Sequence, residues 1–477
     1  MRPIVPYFLS RILQLEGILL LLPLLVSLIY REPFAYWGSF LGTAILVFAI
    51  GKLLSLFQPK DERIYAKEGL ILASSSWLLM SIFGALPLWL SGDYPHFLDA
   101  LFETISGFTT TGATVATAVE DLGHSILFWR SFTHLIGGMG VLVFALAVFP
   151  SGRGSIHMAK AEMPGPSFSK VVAKLSETAR ILYMIYLAMT VILTILLLIA
   201  GMPLFDSLCH AFATAGTGGF GIKNTSIAFY QSNSIESILA VFMILFGINF
   251  NLYFLLMMGQ VKKFWKSEEL RFYLGLIFGA TVLIFIQTHR YSGKALLDSF
   301  FTVASIITTT GFSTANFDIW PLLSRGILLL LMFIGAMAGS TGGGLKVSRT
   351  VILGKSGFRE LIQARNPKRV IPLRFENQAV SRDQLRSISS YMSMYTLIFI
   401  GAFFILLLDL PNFISAFSAV AATINNIGPG FDIVGPTGNF ASLSYLSKTT
   451  LSFCMLAGRL ELWPVLVLFS PSTWKKI

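Results

Sequence analysis

The sequence predicts an all-α membrane protein with ten transmembrane helices, most of them grouped into four pseudo-symmetric repeats. Three observations predict this fold class. The 477 residues are 55% hydrophobic and only 12% charged, about half the charge a soluble chain carries. Lys and Arg cluster in alternate connections between long apolar stretches. One short motif also returns four times at a fixed spacing.

Apolar runs such as "ILLLLPLLVSLIY" and "ILYMIYLAMTVILTILLLIAG" approach or exceed the roughly 20 residues that cross a ~30 Å hydrocarbon core. They lack the alternation of an outer-membrane barrel. Spans are placed at 8–30, 37–58, 67–91, 124–149, 178–202, 234–258, 271–289, 323–350, 387–409 and 447–470. The first is too long for a removed signal peptide and has no small-residue cleavage site. The net charge of +11 does not point to nucleic acid, because its distribution follows the spans. Ten cations lie in 346–386 alone: Lys346, Arg349, Lys355, Arg359, Arg365, Lys368, Arg369, Arg374, Arg382 and Arg386. Others lie in 151–180, in "VKKFWKSEELR", in "PKDERIYAKE" and at both termini. That asymmetry is the positive-inside pattern, so both termini are expected in the cytoplasm of a multi-pass inner-membrane protein in contact with lipid. Cys209 and Cys454 lie in apolar segments and read as packing residues.

The repeat emerges from one spacing. Asp99, Asp206, Asp298 and Ser415 each stand 13 residues before a glycine: Gly112, Gly219, Gly311 and Gly428. The stretches read "DALFETISGFTTTGAT", "DSLCHAFATAGTGGFG", "DSFFTVASIITTTGFS" and "SAFSAVAATINNIGPG". Asp and Ser are favoured helix N-caps, and the small or apolar residues that follow suit a helix of about 15 Å, half a membrane. A polar turn then returns the chain. Non-helical backbone at membrane depth is tolerated only when buried in protein or lining a watery cavity. The fold class is therefore four span–pore-helix–loop–span repeats around a central pore. The chain divides into two N-terminal helices (1–66), a first repeat (67–149), a linker with the second (150–258), the third (259–350), and a basic cytosolic linker with the fourth (351–477). The loops fall on the side poor in cations and face the exterior.

A helix C-terminus carries roughly −0.5 charge, so four converging ends favour a cation. Backbone carbonyls can replace its hydration shell, and glycine allows the angles that turn them toward an axis. The expected ring is Thr110, Thr111 and Gly112; Thr217, Gly218 and Gly219; Thr309, Thr310 and Gly311; Asn426, Ile427 and Gly428. One such loop would read as an ordinary turn at a span end; four at one spacing do not.

These motifs resemble the membrane subunit of the Trk/Ktr potassium-uptake family, most closely its Trk branch. "GFTTTGATV", "TGGF", "TTTGF" and "NNIGPGF" are similar to its four pore loops. "WRSFTHLIGGMGVLVF", "AEMPGPSFSKVVAKLSETARILYMIYLAMTV", "MAGSTGGGLKVSR" and "MLAGRLELWPVLVLF" are similar to its other segments, so the resemblance covers nearly the whole chain. It implies potassium uptake through a filter with one glycine per loop, a homodimer, and cytosolic nucleotide-binding TrkA-like gating subunits. Asn426 and Ile427 depart from threonine and make the filter asymmetric.

Two features lie below the loops. Gly339, Ser340, Thr341, Gly342, Gly343 and Gly344 interrupt an apolar span. Leu345 precedes Lys346 and no Ser or Thr follows the lysine, so this is not a phosphate loop. The resemblance implies an intramembrane gate. Arg459 lies inside the last span, where an Arg costs about 2.5–3.5 kcal/mol and must face the interior. It reads either as half of a structural pair with Glu461 or Glu103 or as an electrostatic barrier on the path; the resemblance favours the barrier. Asn249 and Lys448 are lesser candidates. The six histidines have no zinc-ligand spacing, and no organic cofactor or transition metal is expected. An intramembrane enzyme would need a nucleophile with a membrane His, or paired carboxylates, and neither is present in the sequence. The alternatives within transport are a proton- or sodium-coupled symporter and a less selective monovalent-cation permease.

Overall fold

The computed structural model describes residues 4–59, 64–140, 175–289 and 293–474. The end of the span predicted at 124–149 and the basic stretch 151–174 lie outside them. Six helices among the described residues are long and apolar enough to cross a membrane: Ile4–Ile29, Phe34–Leu54, Lys67–Leu90, Ala179–Ile199, Glu268–Thr288 and Arg382–Leu406. They correspond to the two N-terminal spans and the first span of each repeat.

Among the described residues, none of the remaining four predicted spans, the second of each repeat, is a continuous helix over its predicted length. One runs from His124 to Gly138 before the described residues end at 140. The next breaks between Asn233–Phe246 and Phe250–Met257, which are bent 90° apart. The third breaks between Leu322–Ile334 and Val347–Arg365, and the fourth between Tyr445–Arg459 and Trp463–Phe469. An interruption was expected in the third alone, at Gly339–Gly344. Two of these helices come very close to the ends of the short helices. A Cβ on Gly137 would lie 1.8 Å from the Phe108 carbonyl oxygen, and one on Gly458 would lie 1.9 Å from that of Ile424.

The four short helices are Phe97–Phe108, Leu204–Ala215, Ala295–Ile307 and Phe413–Ile424. Each is amphipathic and packs between the two spans of its repeat, with its second half buried. The expected caps need correction. The N-cap residues are His96, Pro203, Lys294 and Asn412, so Asp99, Asp206, Asp298 and Ser415 sit inside the first turn. There a carboxylate still meets the positive end of the dipole. Each side chain also ties its helix to another segment. Asp99 accepts from Lys448 Nζ at 2.7 Å, Asp206 from the Tyr230 hydroxyl at 2.7 Å, and Asp298 from Thr314 at 3.4 Å, while Ser415 donates to Asp432 at 2.5 Å. Hydrogen bonds from Ser415 and then Asn412 hold Asp432 below the ordinary aspartate range, so this tie is present above that range and is lost on acidification through the lowered value.

The basic segment after the third repeat is more ordered than a linker. Val347–Arg365 is helical, and Arg374–Phe375 pairs antiparallel with Gln378–Ala379.

Steric closeness under the short helices predicts a contrast between two glycines. Gly458→Ala should lower the melting temperature of the purified protein. Gly275→Ala, in a helix where an added Cβ meets nothing within 4 Å, should leave it unchanged or raise stability by up to ~1 kcal/mol.

Candidate functional site

Each short helix ends in the same turn. The residue two positions before the glycine is left-handed in all four: Thr110 (φ 55), Thr217 (φ 53), Thr309 (φ 60) and Asn426 (φ 55). The next amide reaches back five residues: Thr111 N to Ser106 O, Gly218 N to Ala213 O, Thr310 N to Ser305 O and Ile427 N to Ala422 O, each at 2.8 Å. This is the helix-ending turn that normally uses glycine at the left-handed position. Threonine there is strained, and strain of this kind is held only where the surroundings over-determine it. The glycines follow with φ of 77°, 73°, 87° and 98° for Gly112, Gly219, Gly311 and Gly428.

The four turns close into a ring. A Cβ added to Gly112 would lie 2.0 Å from Gly218 O, to Gly219 1.8 Å from Thr310 O, to Gly311 2.1 Å from Ile427 O, and to Gly428 2.7 Å from Thr111 O. Each glycine is thus covered by the carbonyl preceding the glycine of the next repeat, and the fourth repeat returns to the first. A second ring of hydrogen bonds follows the same order outside it. Val119 N donates to Asn224 Oδ1 (2.8 Å), Ser313 N to Ser226 Oγ (3.3 Å), Asp432 N to Asp318 Oδ2 (3.0 Å) and Phe440 N to Thr114 O (2.9 Å). All four glycines line one cavity beyond the ring, with Arg130, Lys223, Pro429 and Asn439 among its other walls.

The turns are chemically unequal. Thr109 and Thr111 share a hydroxyl hydrogen bond of 2.8 Å, as do Thr308 and Thr310. The Thr110 hydroxyl is buried without a protein partner. Asn426 does not mimic threonine; its amide spans to Thr111 Oγ1 (2.9 Å) and Met455 O (3.0 Å), tying the fourth turn to the first. Ile427 is fully buried, so only its backbone is available to the ring.

The loop between Gly335 and Lys346 lies directly beneath. Cβ atoms on Gly342 and Gly343 would fall 2.8 Å from Thr308 O and 2.4 Å from Asn425 O, and Gly343 N donates to Thr309 Oγ1 at 2.6 Å. The loop is pinned at Met337 N to Gly247 O (3.1 Å), at Phe250 N to Gly339 O (2.9 Å), and by Glu269, which accepts from Ala338 N (2.9 Å) and Ser348 N (3.1 Å). Ser340 donates to Met337 O, and Gly344 takes φ 77° against Gly335. Lys346 is buried and donates to Gly342 O. Arg459 donates to Thr341 O (2.7 Å), Gly137 O (2.5 Å) and Gly138 O (2.7 Å). Of the carboxylates first considered as its partners, Glu461 pairs with Arg349, and Glu103 with Arg130. Asn249 caps the lower half of the second broken span and abuts Gly339; Lys448 serves Asp99.

Sequence reasoning missed Lys346, Arg130 and His134 as parts of this site. A signal was available, because an ionisable residue within an apolar span is a functional candidate by default.

The family model described as TrkH, a cation transport protein, matches residues 39–476. The chain is 37% identical over 468 residues to the Trk system potassium uptake protein TrkH of Escherichia coli strain K12, covering 96% of each. It is 33% identical over 483 residues to the TrkG protein of the same strain, covering 99% of this chain and 98% of that one. The crystal structure of the potassium transporter TrkH from Vibrio parahaemolyticus superposes with a TM-score of 0.88 at 32% identity over 99% of each chain.

Ring closure predicts a graded response. Gly219→Ala, with 1.8 Å to the facing carbonyl, should destabilise the purified protein more than Gly428→Ala, with 2.7 Å. Each also bears the ~1–2 kcal/mol of a left-handed non-glycine residue. Thermal unfolding in detergent reads the order.

Proposed function

This chain belongs to the TrkH family of cation transport proteins, and from that premise we propose that it carries potassium into the cell through the ring of Gly112, Gly219, Gly311 and Gly428. One observation carries the reading: four equivalent carbonyls, of Thr111, Gly218, Thr310 and Ile427, each stand against the neighbouring repeat's glycine. Behind them are four helix C-termini whose partial negative charges favour a cation. Carbonyl oxygens can substitute for the water that a potassium ion sheds. The remaining ring residues, Thr110, Thr217, Thr309 and Asn426, set the turn that aims them.

The segment Gly339–Gly344 acts as the gate. It lies against the inner side of the ring, and Lys346 and Arg459 bring two positive charges beside it. A fixed cation under a cation path raises its barrier until the loop moves. The loop is held by backbone hydrogen bonds and by Glu269, contacts that a shift of a few ångströms would exchange.

The partners follow from the same reading. Homodimers would sit in the inner membrane with both termini in the cytoplasm. The helix Val347–Arg365 and the residues after it combine exposed Phe358, Leu361 and Val370 with Arg365, Lys368 and Arg369. A basic face bearing apolar anchors suits a cytosolic nucleotide-binding subunit of the TrkA kind.

Potassium uptake by cells that lack their own high-capacity systems tests the function: expression of this chain should restore growth at low potassium, and no restoration by protein present in the membrane would contradict it. Gly311→Ser should lower the potassium-to-sodium flux ratio. Arg459→Ala should raise potassium flux, on the order of tenfold if the charge contributes about 1.4 kcal/mol to the barrier. An unchanged flux at equal protein level would remove Arg459 from the gate.

A further inference from the structure

We propose that Arg130, held by Glu103, is a positioning residue for ion selection that locks the first and second loops of the ring into one unit. The inference rests on the transport reading above and assigns a role to two residues that form none of the ring and none of the gate.

Both side chains are removed from the surface, at 2% and 0% exposure. Glu103 lies on the first short helix and Arg130 on the returning helix of the same repeat. Arg130 Nε and Nη2 reach Glu103 Oε1 at 2.9 and 2.7 Å. The carboxylate also accepts from Thr114 Oγ1 (2.8 Å) and Val115 N (2.9 Å), two and three residues beyond Gly112. The first loop is therefore fastened to its own short helix through a charge. The same guanidinium then crosses to the second loop. Nη1 donates to Gly221 O at 3.4 Å, and the group lies 4.2 Å from the centre of the Phe220 ring. One turn along the helix, His134 stacks on Phe220 at 4.4 Å and fills the space beside Gly218. Phe220 follows Gly219 directly, so this grip fixes the second ring glycine.

The other two loops are held differently. Ser305 Oγ donates to Phe312 O at 2.7 Å, and Ser418 Oγ accepts from Phe431 N at 2.9 Å. These are neutral staples within one repeat, and the cross-repeat contact beside them is longer and more exposed: Asp432 N donates to Asp318 Oδ2 at 3.0 Å, and Arg325, 3.7 Å from Asp318, lies 5.3 Å from the centre of the Phe431 ring. Charge-assisted hydrogen bonds are shorter and roughly twice as strong as neutral ones. The first two loops are thus held by a buried clamp at hydrogen-bond distance, and the other two by a longer, partly exposed one. Rigid spacing of the carbonyls is one of the two ways a ring can favour the larger ion over sodium. Removing the clamp should therefore change which ion passes before it changes how much potassium passes.

The test uses the full-length protein in vesicles of phosphatidylethanolamine and phosphatidylglycerol, with initial potassium and sodium fluxes measured separately. Glu103→Gln and Arg130→Lys should each lower the potassium-to-sodium ratio at least ~tenfold, with a smaller change in potassium flux. Breaking one half of a buried pair can prevent folding, whereas neutralising both halves is often tolerated. The double variant Glu103→Gln/Arg130→Gln is therefore the deciding case and should show the same loss. Glu32→Gln, which loses a hydrogen bond to Ser125 at the first turn of the helix carrying Arg130, should leave the ratio unchanged. A folded double variant with the wild-type ratio overturns the inference, as does an equal loss in Glu32→Gln. A wild-type protein that passes both ions alike also overturns the inference, and one that passes neither overturns the transport reading itself.

Discussion

Each loop of the ring is finished by its neighbour. A glycine in one repeat provides the gap, and a carbonyl from the next repeat fills it. Each turn's back-bond is internal to its repeat, but the ring closes only when all four are in place. The left-handed threonines make the same point energetically. A β-branched residue in that conformation is an outlier, yet it occurs at Thr110, Thr217 and Thr309. The strain is held in place by the five-residue back-bond and by the packing of the next loop.

Other features of the fold follow from this closure. The helices passing under the short ones must come close, which requires Gly137 and Gly458 where any side chain would strike a carbonyl. They must also leave room, which they do by breaking. The third repeat uses its break most fully, placing a glycine-rich segment and a buried lysine against the underside of the ring. On the proposed reading, the carbonyls attract a cation and Lys346 and Arg459 oppose it from the neighbouring level.

Much of this was legible in the sequence. The 13-residue interval found all four short helices and the four glycines, because the interval is set by the length of one half-membrane helix. Span positions in the first half of each repeat were also legible, since their long apolar runs pack against lipid as well as protein. The cap residues were placed three or four positions late. Asp99 and Asp206 look like caps, but the helix extends through the apolar residues before them to reach the membrane surface. The break in the second repeat was hidden because its halves, Asn233–Phe246 and Phe250–Met257, are as apolar as a continuous helix; at Gly339–Gly344, where six consecutive residues are small or polar, composition changed. Glu103 and Arg130 meet across 27 positions, and no local periodicity encodes such a pair. The fourth loop was legible as different but not as to how: Asn426 turns sideways to hold the first loop, a contact 315 residues away.

The central claim is that a dehydrated monovalent cation rests where these four carbonyls converge. Anomalous diffraction from crystals grown in rubidium tests it most directly. The account predicts a peak on the axis between Gly112, Gly219, Gly311 and Gly428, lost when rubidium is exchanged for lithium. A peak elsewhere in the protein, with none inside the ring, would contradict it.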